Sequence, residues 1–284
     1  MAESPPSTAR LREIGRTLRR VREEAGYTLK TAGRMIERSG SSLSLIENGV
    51  QQLRLRDLRY ILDVYGVESD THRALMTLAA QQQQRGWWED FKDTVSPEAL
   101  DYASLESSAE RLHWAEATLV PGLFQTETYA HSVIKAGLAE DQLSKADRLV
   151  AYRMARQQLL ESTHCPQLQV IIDEAALRRQ RGGRGVMRSQ LAKIIESSFH
   201  DRVTLQVLPF ECEVDPAYIN SFQIVEIGSP AILSVVLMDH LTGRLILEAE
   251  ADVASYRAKF THTLTAALSE TDSRSLIQRI ISEL

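Results

Sequence analysis

The sequence predicts a multidomain protein: an all-α head of five helices over residues 9–80, then an α+β body over 81–284 with mostly antiparallel strands. Three observations carry this. A length of 284 residues suits two domains. Periodicity then changes along the chain, from three- and four-residue apolar steps throughout the head to β-branched runs that begin only after residue 160. Charge is divided as well. Residues 1–85 hold 14 Lys and Arg against 10 Asp and Glu, whereas the whole chain is net −5. A basic head on an acidic body suits a module that meets a polyanion.

The helices of the head follow from their stops and caps. Leu11, Ile14, Leu18, Val21 and Ala25 give the first helix one apolar face, and Gly26 ends it. Thr28 can cap TLKTAGRMI, and Ser39 can cap a third helix through SLSLIEN that stops at Gly49. The fourth, RLRDLRYILDVYG, presents Leu55, Leu58, Leu62 and Tyr65, and the fifth starts at Ser69. Residues 81–85 form the junction. In the body, helical periodicity is expected over 102–119, 125–135, 147–162, 186–197, 253–268 and 273–281. Strands are expected at LQVII (168–172), VTLQVL (203–208), FQIVEI (222–227) and AILSVVLM (231–238).

Residues 28–49 carry the sharpest signal. Leu29, Ala32, Ile36, Leu43 and Ile46 are placed to face inward from two helices crossing at a turn, with Gly33 as the small contact between them. With the Ser39 cap and the Asn48-Gly49 stop, TLKTAGRMIERSGSSLSLIENG resembles the XRE, or phage-repressor-like, helix-turn-helix over roughly residues 9–67. The resemblance implies double-stranded operator DNA as partner and a homodimer. It places the base-facing positions at Gly40, Ser41, Ser44 and Leu45. Ser39, Ser42, Asn48, Gln51, Gln52, Arg54 and Arg56 lie where the phosphate backbone would pass. Serines and a leucine make short or apolar contacts, so the third helix is expected to position more than it specifies, with Arg10 and Arg12 as candidates for a minor groove.

The body carries a second resemblance. RGWWEDF (85–91), YASLESSAERLHWAEATLVPGLFQTETYA (102–130), YRMARQQLLE (152–161), VIIDEAALRR (170–179), GGRGVMRSQL (182–191) and VTLQVLPF (203–210) are similar to a large actinobacterial family of XRE regulators. Its members have an uncharacterised C-terminal domain and include antitoxin-like and WhiJ-like regulators. The resemblance implies a small acidic partner protein encoded nearby, and an antitoxin-like, self-regulating gene pair as the alternative to an effector-sensing regulator. Trp87, Trp88, Trp114, Phe124 and Tyr129 either line a small-molecule pocket, with Glu106 or Arg153 as polar anchors, or pack as core. The arginines of RRQRGGRGVMR either meet an acidic partner or simply solvate a turn.

Catalysis finds little footing. The GGRG loop lacks the Lys-Ser/Thr of a phosphate-binding loop, and adjacent Asp173 and Glu174 diverge on a strand end. Seven histidines show no metal-ligand spacing, and Cys165 and Cys212 make no disulfide framework. The expectation is a non-enzyme without a cofactor or metal. No apolar run approaches the ~20 residues of a membrane span. The opening MAESPPST has no apolar signal core, so a cytoplasmic, nucleoid-associated protein is expected.

Overall fold

A computed structural model describes residues 7–212, 220–240 and 243–284. The chain forms two compact units, the first running essentially to Gly86 and the second beginning at Trp87. In the first unit the helices are α1 (Ala9–Glu24), α2 (Leu29–Met35), α3 (Gly40–Glu47), α4 (Leu55–Val64) and α5 (Ser69–Gln82). The expected caps form. Thr28 accepts from the Thr31 N–H and Ser39 from the Ser42 N–H, each satisfying a donor that the first helical turn leaves orphaned. Ile14, Leu18, Ala32, Ile36, Leu43, Ile46, Leu58, Ile61 and Leu78 are buried together as the helical core.

The second unit is α+β. Its elements are α6 (Pro97–Ser107), β1 (Arg111–Glu116), α7 (Glu127–Gly137), α8 (Ala146–Gln157), β2 (Gln167–Asp173), α9 (Glu174–Arg178) and α10 (Arg184–Ser197). Then come β3 (Val203–Leu208), β4 (Phe222–Ile227), β5 (Leu233–His240), β6 (Gly243–Leu247), α11 (Glu250–Ala266) and α12 (Glu270–Glu283). One six-stranded sheet has the order β3-β2-β1-β4-β5-β6. It is mixed: β1 pairs parallel with β2, and β2 with β3, while β1–β4 and β5–β6 are antiparallel. The α+β expectation holds, with parallel pairing confined to β1, β2 and β3. Two crossovers cause that parallel pairing, α7–α8 between β1 and β2 and α9–α10 between β2 and β3, each returning the chain to the same end of the sheet.

The helix expected over 102–119 is corrected. Only its first part is helical, and 111–116 is the strand that β2 and β4 flank on either side. RLHWAE satisfies its backbone in two ladders at once, and that tertiary pairing outweighs a weak helical pattern. A strand at 243–247 also escaped the sequence pattern.

Two faces of this sheet are occupied differently. Ala115, Ile171, Phe222, Ile224, Val236, Val253 and Phe260 form an apolar core with α11. On the other face, α6 and α8 bring polar groups inward. Arg156 donates to Glu106 at 2.8 and 2.9 Å and to the Tyr102 hydroxyl at 2.8 Å, and both Arg156 and Glu106 are buried. The Tyr102 hydroxyl lies 2.5 Å from Glu106 and 2.7 Å from the Gln223 side chain on β4. Burial by itself would lower the Arg156 pKa, but Glu106 and Tyr102 raise it, so the guanidinium stays charged. Breaking such a pair strands a charge. Glu106→Gln is expected to destabilise the body by about 3 kcal/mol, read as a lower midpoint of its denaturant transition; an unchanged midpoint would refute the assignment.

Candidate functional site

The turn between α2 and α3 is built by close approach. A Cβ on Gly33 would lie 2.7 Å from the Arg38 carbonyl oxygen, so only glycine lets the turn fold back on α2. Gly49 takes φ +67°, the left-handed geometry that ends α3, and its N–H donates to the Ile46 carbonyl. Glu37 also has a positive φ, 56°, without glycine's freedom.

The expected recognition residues sit along one surface of α3 and the segment after it. Ser41, Ser44, Leu45 and Asn48 follow at helical spacing on one stripe. Ser39, Ser41, Leu45 and Asn48 are exposed, whereas Gly40, Ser42 and Ser44 are half-buried. Leu45 is 47% exposed, an apolar side chain presented to solvent where the core has no use for it. Gln52, Arg54 and Arg56 are exposed beside the helix. Some of these groups hold one another instead of pointing freely outward. The Ser42 hydroxyl donates to Gln51 Oε1 at 3.2 Å, and Asn48 Nδ2 donates to the Ser44 carbonyl at 2.8 Å. The N–H groups opening α3 lack intrahelical acceptors and run along the helix dipole, which suits an anion.

Two arginines of α1 matter more than the sequence indicated. Arg22 donates to both carboxylate oxygens of Glu47, at 2.6 and 2.9 Å, with both side chains buried. Arg19 donates to Asn48 Oδ1 at 2.7 Å and lies 3.5 Å from Glu47. They clamp the C-terminal end of α3 to α1. The pairing spans 25 residues of sequence, and no local pattern announces it. Arg10, expected near a minor groove, is fully buried, because it falls on the inward stripe with Ile14 and Leu18. Arg12 is half-buried and donates to the Ser7 carbonyl.

In the body the anticipated pocket is not assembled as expected. Trp87, Trp88, Phe91 and Tyr152 pack together, with Trp87 against Trp88 edge-on at 6.0 Å. Phe124 and Tyr129 are fully buried core, and Tyr129 donates nothing outward but accepts the Val120 N–H at 3.2 Å. Glu106 is consumed by Arg156, and Arg153 donates to Gln125 Oε1 at 2.8 Å. Burial, followed by repulsion from Arg156, pulls the Arg153 pKa down to about 10.

Of the seven residues, Trp114 borders an open cleft of about 40 Å³, which it lines with Glu116, Ser221, Phe222, Gln223, Leu237, Asp239 and Arg244. Strand register explains the lining. Trp114 and Glu116 share a face of β1, Gln223 is the partner of Trp114 on β4, and Arg244 is the partner of Asp239 on β6. Burial pushes the Glu116 pKa up, opposed by hydrogen bonds from Ser221, Thr118 and Trp114.

With that geometry in view, the comparisons with known proteins can be placed. A model of a helix-turn-helix domain matches residues 13–76, spanning α2, α3 and α4. A model of a domain of unknown function (DUF5753) matches residues 99–279, more than half of the chain. The chain belongs to the DUF5753 family. No curated protein and no solved structure matches it. In this DUF5753 protein the N-terminal unit is thus a helix-turn-helix domain, a module that indicates DNA binding and transcription regulation. No helix among the described residues is long and apolar enough to cross a membrane.

The turn itself offers a test. A non-glycine residue in the left-handed region costs about 1–2 kcal/mol, partly offset by glycine's unfolded-state entropy. Glu37→Gly is expected to raise the thermal midpoint of the head; a fall of several degrees would show that the Glu37 side chain holds the turn.

Proposed function

We propose that the protein is a sequence-specific DNA-binding transcriptional regulator that acts as a homodimer, its α3 lying in the major groove and its acidic body governing when the head engages. One observation carries this reading most of the way. An exposed stripe of small polar groups and Leu45 runs along the second helix of a helix-turn-helix, with Gln52, Arg54 and Arg56 exposed beside it. Phosphate neutralisation is the work of the arginines, together with the α3 N-terminus, and supplies affinity that falls with salt. Ser41, Ser44 and Leu45 make the base-edge contacts. Leu45 offers only an apolar surface, suited to a thymine methyl, and the serines bond permissively. Discrimination then comes largely from half-site spacing and DNA shape. Dimerisation follows from energetics: one eight-residue helix on one half-site gives little grip, and two-fold pairing doubles it.

Fluorescence anisotropy of the full chain on fragments from its own upstream region, titrated across salt, tests the reading. Arg54→Ala or Arg56→Ala is expected to weaken all duplexes alike and to flatten the log–log salt slope by about one unit each. A lack of any salt-sensitive affinity for duplex DNA would overturn it. Leu45→Ala is expected to reduce preference at one base pair by about 1–3 kcal/mol while leaving non-specific affinity intact. Equal loss on every sequence would show that Leu45 supports the fold and not the readout.

A further inference from the structure

The cleft above β1 is lined by two carboxylates, Glu116 and Asp239, and one arginine, Arg244. Glu106 is matched by Arg156, and Asp239 by Arg244 at 2.5 Å. Arg244 is further held by stacking, its guanidinium 3.9 Å from the Tyr102 ring centroid. Glu116 has no such match. Its carboxylate takes hydrogen bonds from the Ser221 hydroxyl, the Trp114 indole N–H at 3.4 Å and the Thr118 N–H at 3.5 Å, and among the described residues no Lys, Arg or His side chain forms an ion pair with it. Those donors fix the carboxylate's direction without neutralising it. A desolvated, oriented carboxylate without a counter-charge is costly, and either a proton or a bound cation relieves that cost.

Position in the sheet strengthens the case. Glu116 ends β1, the strand at which the sheet changes from parallel to antiparallel pairing. Trp114, two residues earlier on the same face, adds an aromatic wall that an organic cation can use and a hydrated metal ion uses poorly. At about 40 Å³ the cleft has room for a small charged head of a few atoms, an ammonium or a guanidinium, with Leu237 in its lining.

We propose that this cleft binds a small organic cation, a primary amine or guanidine, whose charged head pairs with Glu116 and whose stem lies against Trp114 and Leu237. The site stands apart from the DNA-binding reading and its test does not depend on it.

Isothermal titration of the full chain with agmatine and n-butylammonium, set against n-butanol and butyrate as neutral and anionic counterparts, decides the matter. The expected result is saturable binding of the cations alone, accompanied by a change in tryptophan fluorescence. Glu116→Gln, nearly isosteric, is expected to weaken it at least tenfold, while Glu110→Gln, on an exposed carboxylate, leaves it unchanged. Asp239→Asn provides a second variant should the first fail to fold. It leaves Arg244 without its acid and is expected to weaken cation binding through repulsion. Equal binding of butanol or butyrate, saturation by magnesium and not by the amines, no saturable binding at all, or full affinity in the folded Glu116→Gln protein would each overturn the proposal.

Discussion

The placement of α3 depends on one buried ion pair, Arg22 with Glu47. Glu47 is the last residue of α3 and only 3% exposed, so its carboxylate is tolerated only where a cation and good hydrogen-bond geometry are guaranteed. Arg22 provides both oxygens with a partner, and it can do so only if α1 and α3 cross at one depth and one rotation. A slip of α3 by one residue would aim its serine stripe away from solvent and leave Glu47 buried without a partner. The presented face and the hidden charge are therefore one constraint. Asn48 extends the clamp, because Arg19 holds its side chain while that side chain closes the helix end on Ser44.

The body solves a related problem with different parts. Arg156 joins α8 to α6 through Glu106, and Tyr102 carries the connection to Gln223 on β4. Replacing the cluster by apolar groups of similar size would cost little stability by itself, as buried ion pairs generally break even. Its value is uniqueness of packing: hydrogen-bond directions fix the rotation of both helices over the sheet more tightly than apolar contacts alone can.

How much of this could be read from sequence divides along the range of the interaction responsible. Ser39, Thr28 and Gly49 were legible because capping and left-handed geometry are decided within four residues. The expected strands 168–172, 203–208, 222–227 and 231–238 stand within β2 to β5 or close to their ends, since β-branched runs signal themselves. β1 was not legible. Its hydrogen bonds go to strands whose sequences lie some 55 and 110 residues away, beyond any local pattern. Arg10 misled for a related reason: arginine is presumed exposed, yet position 10 falls on the stripe that faces the core. The aromatic residues of the body were the hardest to place. Their number suited a pocket or a core, and Trp87, Trp88, Phe91 and Tyr152 pack against one another in edge-to-face and tilted contacts.

The two units use buried acid in opposite ways, and the contrast bears on how a regulator can be both precise and responsive. In the head, Glu47 is saturated by two arginines, so there is nothing left for a ligand to supply and the α3 face stays fixed. In the body, Glu116 is oriented by neutral donors only, at the end of the strand that pairs parallel with β2 and antiparallel with β4. A group that binds there changes the local charge by one unit in a poorly solvated place, where electrostatic effects reach farther than at a wet surface. The element with the unmet charge is the one that can respond, and the element with its charge fully met is the one that can be trusted to hold its shape.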